Sequence, residues 1–303
     1  MKALIVYNNS SGKSRIKKKI NYVIENLKGD YDVVNAFESY AQGSIVEYLM
    51  VNGENYDLVV AAGGDGTVHE AVNGLMKLTK RPTLAFIPAG TCNDAAKTLG
   101  FSRKIKKTLG LIKENNIVSI DVSKVNDSYF IYGFAAGALT EISYIVPRKP
   151  KKMFGKLAYY FYVFKSISKS KPLNLKIKTD DFEEEKKYAV LLSTNSRFLA
   201  GFKLKRSFDP CLNDGKIQVV LINHRNKLLD LILMVRLLVF GEFKSKHAKY
   251  LDTSKMHITL NEDINFNLDG ECFADQRDIN IEVLPNSLNV ITSNKISQRY
   301  FNK

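Results

Sequence analysis

The first part of the chain alternates short apolar runs with segments in which apolar residues recur at helical spacing. The apolar runs are strand-like and read KALIVY, YDVVNAF, YDLVVAAGG and TLAFIPAGT. Between them, the spacing predicts helices at residues 14–27, 43–51 and 68–78, with a further helix after the fourth run. This alternation predicts a parallel sheet with crossover helices, in which ligands bind outside the carboxyl ends of the strands.

The pattern changes after Asp121 to short strand-like segments separated by turn residues. These segments predict an antiparallel sheet or sandwich, interrupted by helical inserts at about 152–170 and 226–240. We therefore predict two domains that face each other across a cleft. They are an α/β domain (1–125) and a β-sandwich domain (126–290), with a carboxyl-terminal tail that returns to the first domain (291–303).

Three loops rich in glycine and small polar residues each follow a predicted strand, so they are expected to meet at one edge of the sheet. They read NNSSGK, GGDGT and PAGTCND. In the second loop, Gly63, Gly64 and Gly66 allow backbone N–H groups to approach a phosphate, and the helix start adds a favourable dipole. Thr67 either caps that helix or donates to phosphate. Asp65 would repel a bare phosphate, which favours an intervening magnesium ion.

Each loop also has a purely structural interpretation. The GGDGT loop is consistent with a tight strand-to-helix turn in which Asp65 is a cap, and Asn93 and Asp94 are ordinary helix-capping residue types. The occurrence of both loops in one chain favours phosphate binding over two unrelated turns.

Composition favours a polyanionic partner. The 303 residues include 45 Lys plus Arg against 31 Asp plus Glu, a formal net charge of +14. This excess suits nucleotide phosphates, nucleic acid or an anionic membrane. Cys92, Cys211 and Cys272 match neither a disulfide framework nor a metal motif, which indicates a reducing cytoplasm. The most apolar stretch, residues 228–240, is shorter than the ~20 residues that cross a bilayer, so no transmembrane anchor is expected.

Together, the loops resemble the catalytic domain of the diacylglycerol kinase family, in particular its soluble bacterial lipid kinases. NNSSGK resembles the opening nucleotide loop, and DVSKVNDSYFIYGFAAG resembles the interdomain strand pair. STNSRFLAGFKLKRSFDPCLNDGKIQVVLI and FNLDGECF resemble the second-domain motifs. NAD kinases and phosphofructokinases share the GGDG loop, but the GTCND stretch and the DGE triplet favour the lipid branch. The resemblance covers nearly the whole chain and implies a Rossmann-like nucleotide domain, a β-sandwich domain and an active site between them.

The resemblance implies ATP-dependent phosphotransfer to a lipid hydroxyl. Glu271 is then the general base, and Asp65, Asp121 and Asp269 form the acidic set that holds magnesium directly or through water. The implied nucleotide-binding residues are Asn8, Asn9, Ser10, Ser11, Gly12, Ser39, Gly63, Gly64, Asp65, Gly66, Thr67, Val68, His69, Thr91 and Asn93. A second, structural magnesium site is implied at Asp214, with the carbonyls of Cys211 and Lys216.

The family roles have simpler alternatives, and the chain departs from the family pattern. Taken alone, LDGE is typical of an acidic hairpin turn, and Asp121 is consistent with a solvated strand end. The departures are Asn9 for Pro, His69 for Asn, Lys97 for Arg, and LAG at 199–201 in place of a glycine cluster. His69 either contacts ligand or only packs. These changes bear on substrate choice more than on phosphotransfer.

The segment 147–165 suggests how an insoluble substrate is reached. Its basic loop, residues 147–156, contains five basic residues, and aromatic residues follow. Basic charge attracts a protein to anionic headgroups and aromatic side chains enter the interface, so we expect a cytoplasmic protein that binds peripherally at the inner face of the cell membrane. A solvated loop before a buried aromatic helix explains the pattern equally well. The family resemblance also implies a homodimer.

Other functions remain open at this stage. A nucleic-acid-binding module would cluster basic and aromatic residues on one face, but the basic residues are spread along the chain, so no nucleic-acid partner is expected. An NAD-kinase-like enzyme with a soluble substrate, or a weakly catalytic regulator that binds ATP or lipid, also fits the motifs. The favoured acceptor is diacylglycerol, with phosphatidylglycerol, monoacylglycerol, undecaprenol and sphingoid bases as alternatives.

Overall fold

A computed structural model describes residues 1–8, 15–137, 171–199, 202–203, 210–240 and 245–301. The helices of this part are α1 (Arg15–Leu27), α2 (Ser44–Asn52), α3 (Asp65–Leu75), α4 (Asp94–Thr98), α5 (Ile105–Glu114), α6 (Lys227–Phe240) and α7 (Asn294–Tyr300). The strands are β1 (Lys2–Asn8), β2 (Val33–Ser39), β3 (Leu58–Gly63), β4 (Thr83–Pro88), β5 (Ile117–Val125), β6 (Ser128–Phe130), β7 (Gly133–Gly137), β8 (Leu173–Thr179), β9 (Glu183–Thr194), β10 (Phe198–Leu199), β11 (Phe202–Lys203), β12 (Ile217–Asn223), β13 (Ala248–Thr253), β14 (Lys255–Leu268) and β15 (Glu271–Ile291).

The amino-terminal part contains the predicted alternation of strands and helices. Strands β2, β1, β3 and β4 are parallel neighbours in that order. Strand β3, with the sequence LVVAAG, is buried at every position, as expected for a central parallel strand covered on both faces. The carboxyl ends of these strands therefore lie at one edge of a rigid, apolar layer.

The carboxyl-terminal part is mainly antiparallel. Strand β14 pairs with β15, β7 and β8, and strand β9 pairs with β7, β8 and β12. In β8 buried and exposed residues alternate, so one face of this strand packs on the core and the other meets solvent. The architecture is thus mixed α/β with two parts.

Strand β15 joins the two parts. Its first half contributes Ile279 and Ile281 to one hydrophobic core, and its second half contributes Leu288 and Val290 to the other. Val290 also pairs in parallel register with Leu84 of β4, so the parallel and antiparallel strands form one continuous sheet. The two parts are therefore connected by backbone hydrogen bonds as well as by the chain.

The residues after β15 lie against the first part of the chain. The Thr292 hydroxyl donates to the Leu99 carbonyl at 2.9 Å, and the Thr292 N–H donates to the Asn116 carbonyl at 3.0 Å. Tyr300 of α7 is buried in the hydrophobic core that contains the parallel strands. The exact domain boundary stays a prediction, because β15 runs through both parts.

The structure shifts one predicted helix and confirms a predicted insert. The helix expected from residue 68 begins three residues earlier, at Asp65, because the loop after β3 is reduced to Gly64 and an acidic residue suits the first turn. The insert expected at 226–240 is α6. The insert expected at 152–170 lies outside the described residues.

Candidate active site

The carboxyl ends of the parallel strands form a single row. Asn8 of β1 is in register with Ser39 of β2, and Gly63 of β3 is in register with Pro88 of β4. Strand β1 lies between β2 and β3. Three residues predicted to bind nucleotide, Asn8, Ser39 and Gly63, are therefore brought to one edge of the sheet. The rest of the predicted first loop, Asn9, Ser10, Ser11 and Gly12, lies outside the described residues.

The two glycine-containing loops touch through their backbones. The N–H groups of Ala89 and Gly90 donate to the Gly63 carbonyl at 2.8 and 3.1 Å. A Cβ atom on Gly90 would lie 2.4 Å from the Cα of Gly64, and a Cβ on Gly63 would lie 2.1 Å from the Thr67 hydroxyl oxygen. Because a backbone atom cannot move aside as a side chain can, glycine is required where Gly64 and Gly90 meet.

Asp65 joins the same two loops through its side chain. One carboxylate oxygen accepts the N–H of Asn93 and the other accepts the N–H of Asp94, each at 2.7 Å. Asn93 has a left-handed backbone, and its own side chain bonds the N–H and the carbonyl of Gly90. Asp65 therefore fixes the start of α4, which is a structural role of the capping kind expected for such a loop.

Burial raises the pKa of the Asp65 carboxyl above its ordinary value, and the nearby Asp269 acts in the same direction. The two backbone N–H groups and Lys97 favour the charged form and partly offset the effect of burial. Asp65 is therefore a buried carboxylate in a site where a second acid lies close by.

Asp269 organises the strand connection opposite Asp65. It is only 1% exposed, and its carboxylate accepts the N–H groups of Ile131, Tyr132 and Gly133 at 2.9 to 3.0 Å. The next residue, Gly270, has a positive φ of 93° and would place a Cβ 3.9 Å from the Cβ of Asp65. The tight turn predicted for LDGE thus lies directly against the first-domain loop.

Glu271 follows that turn and reaches the first turn of α3. A Cβ atom built on Gly66 would lie 2.4 Å from Oε1 of Glu271, so the carboxylate lies immediately beside Gly66. The first intrahelical bond of α3 runs from the N–H of Val68 to the carbonyl of Gly64. The N–H groups of Gly66 and Thr67 precede that bond, so no intrahelical acceptor exists for them and they favour an anion.

The side chains of Thr67 and Val68 face the interior of the protein. They are 7% and 4% exposed, respectively. The N–H of Val68 is already used within the helix. Of the predicted nucleotide contacts in this turn, the backbone N–H groups of Gly66 and Thr67 are therefore the groups with the suitable chemistry.

Tyr132 is a site residue that sequence analysis missed. Burial raises the pKa of its phenol well above the ordinary value, and the carboxylates of Asp65, Asp269 and Asp94 act in the same direction. A tyrosine in the apolar run FIYGF carries no sequence signal for such a position. It keeps a neutral hydroxyl among three acids.

His69 lies beside Asp269 on the next part of α3. Its Nδ1 is 3.9 Å from Oδ2 of Asp269, and its side chain is 17% exposed. Asn73, one turn further along, donates to the carbonyls of His69 and Tyr129 and accepts the N–H of Tyr129. Helix α3 is thereby connected to β6, and His69 lies near the acidic turn.

Lys97 is a cation of this region. Its Nζ lies 3.8 Å from Oδ1 of Asp94 and 5.4 Å from the centre of the Phe198 ring. Thr91, a predicted nucleotide contact, is exposed, and its carbonyl accepts a hydrogen bond from Arg103. Lys97 and Arg103 therefore place two positive charges against the loop after β4 and the start of α4.

Asp121 interacts with a different set of residues. Its carboxylate accepts the N–H of Gly215 at 2.6 Å and that of Asn286 at 2.8 Å. Burial raises the pKa of Asp121, and the nearby Asp214 adds to this effect. These contacts connect Asp121 with the loop predicted to bind structural magnesium, whereas Asp65, Asp269 and Glu271 meet at α3.

A cavity adjoins Asp121 and Tyr132. Both Tyr132 and Asp121 line it, and most of its lining is apolar. Among its polar lining atoms, Oδ1 of Asn195 is buried and has no hydrogen-bond partner among the described residues. The full lining is Ala95, Thr98, Leu99, Ile120, Asp121, Ile131, Tyr132, Asn195 and Leu212.

The predicted magnesium sites are only partly assembled by protein atoms. Within the described part of the chain, no group of three or more His, Cys, Asp or Glu side chains is arranged to hold a metal. Both oxygens of Asp65 already accept N–H groups, although each carboxylate oxygen has a second lone pair. At the second site, Oδ1 of Asp214 accepts the N–H of Lys216 at 3.0 Å. Magnesium commonly binds through water and substrate phosphate with one or two carboxylates, and these residues fit that mode.

Comparisons with known proteins agree over both parts of the chain. Residues 2–125 match the family described as diacylglycerol kinase catalytic domain, and residues 135–292 match the YegS C-terminal NAD kinase beta sandwich-like domain. A diacylglycerol kinase of Bacillus subtilis (strain 168) is 33% identical over 273 residues, which is 89% of each chain. A diacylglycerol kinase of Staphylococcus saprophyticus is 34% identical over 275 residues, covering 89% of this chain and 88% of that one.

A solved structure shares the fold. The crystal structure of a diacylglycerol kinase from Bacillus anthracis str. Sterne superposes with a TM-score of 0.79 at 24% identity, covering 97% of this chain and 98% of that chain. The match to both domain families and the extent of the curated relatives lead to one conclusion: this chain belongs to the diacylglycerol kinase catalytic-domain family.

Proposed function

We propose that this protein is an ATP-dependent lipid kinase that transfers the γ-phosphoryl group to the hydroxyl of a membrane lipid, with diacylglycerol as the first acceptor to test. Its family membership indicates a kinase, and the relatives named above are diacylglycerol kinases. The product would be phosphatidic acid.

The position of Glu271 carries the proposal. This carboxylate comes from the carboxyl-terminal part of the chain, yet it lies beside Gly66 at the amino end of α3. A base at that position is within reach of an alcohol that approaches a phosphate bound at the helix end. Because the transition state of phosphoryl transfer is loose, a carboxylate is a sufficient base for the hydroxyl proton.

The nucleotide would bind along the row of strand ends. Asn8, Ser39 and the loop at Gly63 lie at that edge, and the N–H groups of Gly66 and Thr67 suit a phosphate oxygen. Lys97 would place positive charge near the transferred group. Glycine is needed here because the loops leave no space for Cβ atoms.

Magnesium would be held by the phosphates and by water, with Asp65 and Asp269 as the side chains nearest to it. When bound, it would neutralise the charge that develops on the transferred group. Asp269 and Asp65 would also orient the reactants, because Asp269 fixes the β6–β7 connection and Asp65 fixes the start of α4.

The test is transfer of labelled γ-phosphate from ATP to a panel of acceptors. Diacylglycerol, monoacylglycerol, phosphatidylglycerol, undecaprenol and a sphingoid base would be presented in mixed micelles, and NAD would be presented in solution. Labelled phosphatidic acid as the main product supports the proposal. Labelling of NAD alone, or of no acceptor by folded protein that binds ATP, would refute it.

A further inference from the structure

Helix α6 has an apolar outer face that the proposed catalytic site does not use. Its 14 residues, KLLDLILMVRLLVF, are apolar on nearly all sides. Leu233, Met234 and Leu237 are buried, whereas Leu228 is 68% exposed and Ile232 is 46% exposed. A helix that is apolar all round is normally buried, so this exposure indicates a missing partner.

Helical geometry places the exposed residues on one continuous stripe. At 100° per residue, Leu228, Ile232 and Val235 lie within about 60° of one another, on the side opposite to the buried Leu233 and Leu237. Val235 in the stripe and Leu231 beside it are partly exposed as well. The outer face is thus a defined surface, which we call the α6 face.

The helix is held firmly in position at its amino end. Asp230 is 4% exposed, and its carboxylate contacts Nδ1 of His224 at 2.6 Å and accepts the N–H of Arg225 at 3.2 Å. Asn226 also accepts the N–H of Leu229 at 2.9 Å. The α6 face is therefore presented by an ordered helix start.

Basic residues surround the α6 face. Arg225 and Lys227 precede Leu228 and are exposed, and Arg236 lies on the same side of the helix further along. The backbone bonds of Asn223 to His247 and of His224 to Lys187 bring two more segments beside the helix start. These segments carry the exposed Lys246 and Lys187. The nearby Asp230 is buried against His224, so the rim of the face is positive.

An anionic lipid surface matches both properties of the α6 face. Apolar side chains enter the boundary between headgroups and acyl chains, and basic side chains remain at the headgroups. A second copy of the chain fits less well, because a two-fold contact would bring two positive rims together. Helix α6 is about 21 Å long, and no helix of the described residues is long and apolar enough to cross a bilayer, so it would lie on the surface.

We infer that the α6 face is a membrane-docking surface for anionic phospholipid, separate from the basic loop predicted at 147–156. The inference rests on the proposed function, since a lipid kinase must reach substrate in a bilayer. Docking through this face would hold the carboxyl-terminal part of the protein against the lipid while the first part binds nucleotide.

Vesicle sedimentation tests the inference with paired variants. Wild type, Leu228→Gln/Ile232→Gln and the control Met50→Gln/Val51→Gln would be mixed with vesicles of phosphatidylglycerol and phosphatidylcholine. Met50 and Val51 are 49% and 80% exposed on α2, so the control removes a comparable apolar area elsewhere. The α6 variant should bind at least about fivefold less than wild type, and the control should bind like wild type. Equal thermal midpoints would show that all three are folded.

A second double substitution tests the positively charged rim of the α6 face. Arg225→Gln/Lys246→Gln should weaken binding to vesicles containing phosphatidylglycerol and leave binding to pure phosphatidylcholine unchanged. Wild-type binding by the α6 variant would overturn the inference. So would a change from dimer to monomer in that variant without loss of vesicle binding, which would identify a second copy as the partner.

Phosphotransfer to dispersed dioctanoylglycerol, without vesicles, separates this inference from the proposed function. Leu228→Gln/Ile232→Gln should keep wild-type activity there. If wild type binds vesicles through α6 but has no kinase activity, the proposed function fails and the docking surface stands. If wild type is active but does not bind anionic vesicles, the docking surface is refuted and the function stands.

Discussion

At the residue scale, the glycines of GGDGT first serve the contact between two loops. Gly64 meets Gly90 at backbone distance, and Asp65 uses both carboxylate oxygens to hold the start of α4. The structural and phosphate-binding interpretations of this loop are therefore compatible. In the same loop, the N–H groups of Gly66 and Thr67 lie at the helix end, where they have no intrahelical acceptor.

Replacement of Gly90 tests this packing. In Gly90→Ala the new methyl group would lie 2.4 Å from the Gly64 Cα, so we expect a loss of stability of about 2 to 4 kcal/mol and weaker ATP binding. Gly110→Ala is the control, because nothing beyond the backbone of its own helix lies within 4 Å of its Cβ position in α5. There, alanine should stabilise by up to about 1 kcal/mol. Thermal unfolding measures both, and equal stability of Gly90→Ala and wild type would contradict the account.

The raised pKa of Asp65 predicts a pH dependence. Burial, its largest cause, places the folded-state pKa above the ordinary value of 3.8, so the folded protein binds this proton more tightly than the unfolded chain. Wild type therefore gains stability as the pH falls through the raised value, and Asp65→Asn lacks this gain. Without nucleotide or metal, the melting temperature of wild type minus that of the variant should increase from neutral to mildly acidic pH. A constant difference would contradict the assignment.

At the element scale, helix α3 joins the two parts of the proposed active site. Its amino end faces Glu271, and Asn73 near its other end makes two hydrogen bonds with the backbone of Tyr129 in β6. Asn73 is also 8% exposed, so these bonds are protected from water. Helix α3 therefore holds the β6–β7 connection in place. This connection contains Tyr132, and its backbone N–H groups donate to Asp269.

Asn73→Ala should loosen this connection. The variant leaves the N–H and carbonyl of Tyr129 without their partner, at an expected cost of about 1 to 3 kcal/mol. Asn26→Ala is a matched control, since Asn26 donates to the Tyr22 carbonyl one turn back on α1 and this bond is exposed to solvent. That change should cost less than about 0.5 kcal/mol. Urea unfolding of the two variants gives the comparison, and equal effects would contradict the role assigned to Asn73.

Local pattern predicted the elements better than it predicted the site. The continuous apolar runs located β3 and α6 to within a residue or two, because such runs are a property of the local sequence. They did not predict where Asp121 would lie, because its partners Gly215 and Asn286 are 94 and 165 residues away in sequence. Likewise, Tyr132 lies among carboxylates only through tertiary packing. The motif resemblance supplied Glu271, which no periodic pattern would distinguish from a turn residue.

At the scale of the whole molecule, β15 couples the two cores. Because Ile281 belongs to one hydrophobic core and Leu288 to the other, neither core keeps its packing when the strand is lost. We expect tyrosine fluorescence and far-ultraviolet circular dichroism to report one coincident transition in urea. Two separated transitions would show that the parts unfold independently.

The same strand begins at Glu271 and so places a residue of the carboxyl-terminal part against α3. In the proposed mechanism, this carboxylate accepts the hydroxyl proton during phosphotransfer. The most direct test of this role is the turnover of Glu271→Gln with ATP and diacylglycerol. Glu282→Gln is the matched control, because Glu282 lies on the same strand in an exposed pair with Lys255.

We expect kcat of Glu271→Gln to fall by about 10² to 10⁴ with ATP binding unchanged, and kcat of Glu282→Gln to remain within about twofold of wild type. Both variants should show the wild-type melting temperature to within a few degrees. Near-normal turnover by folded Glu271→Gln would contradict this role.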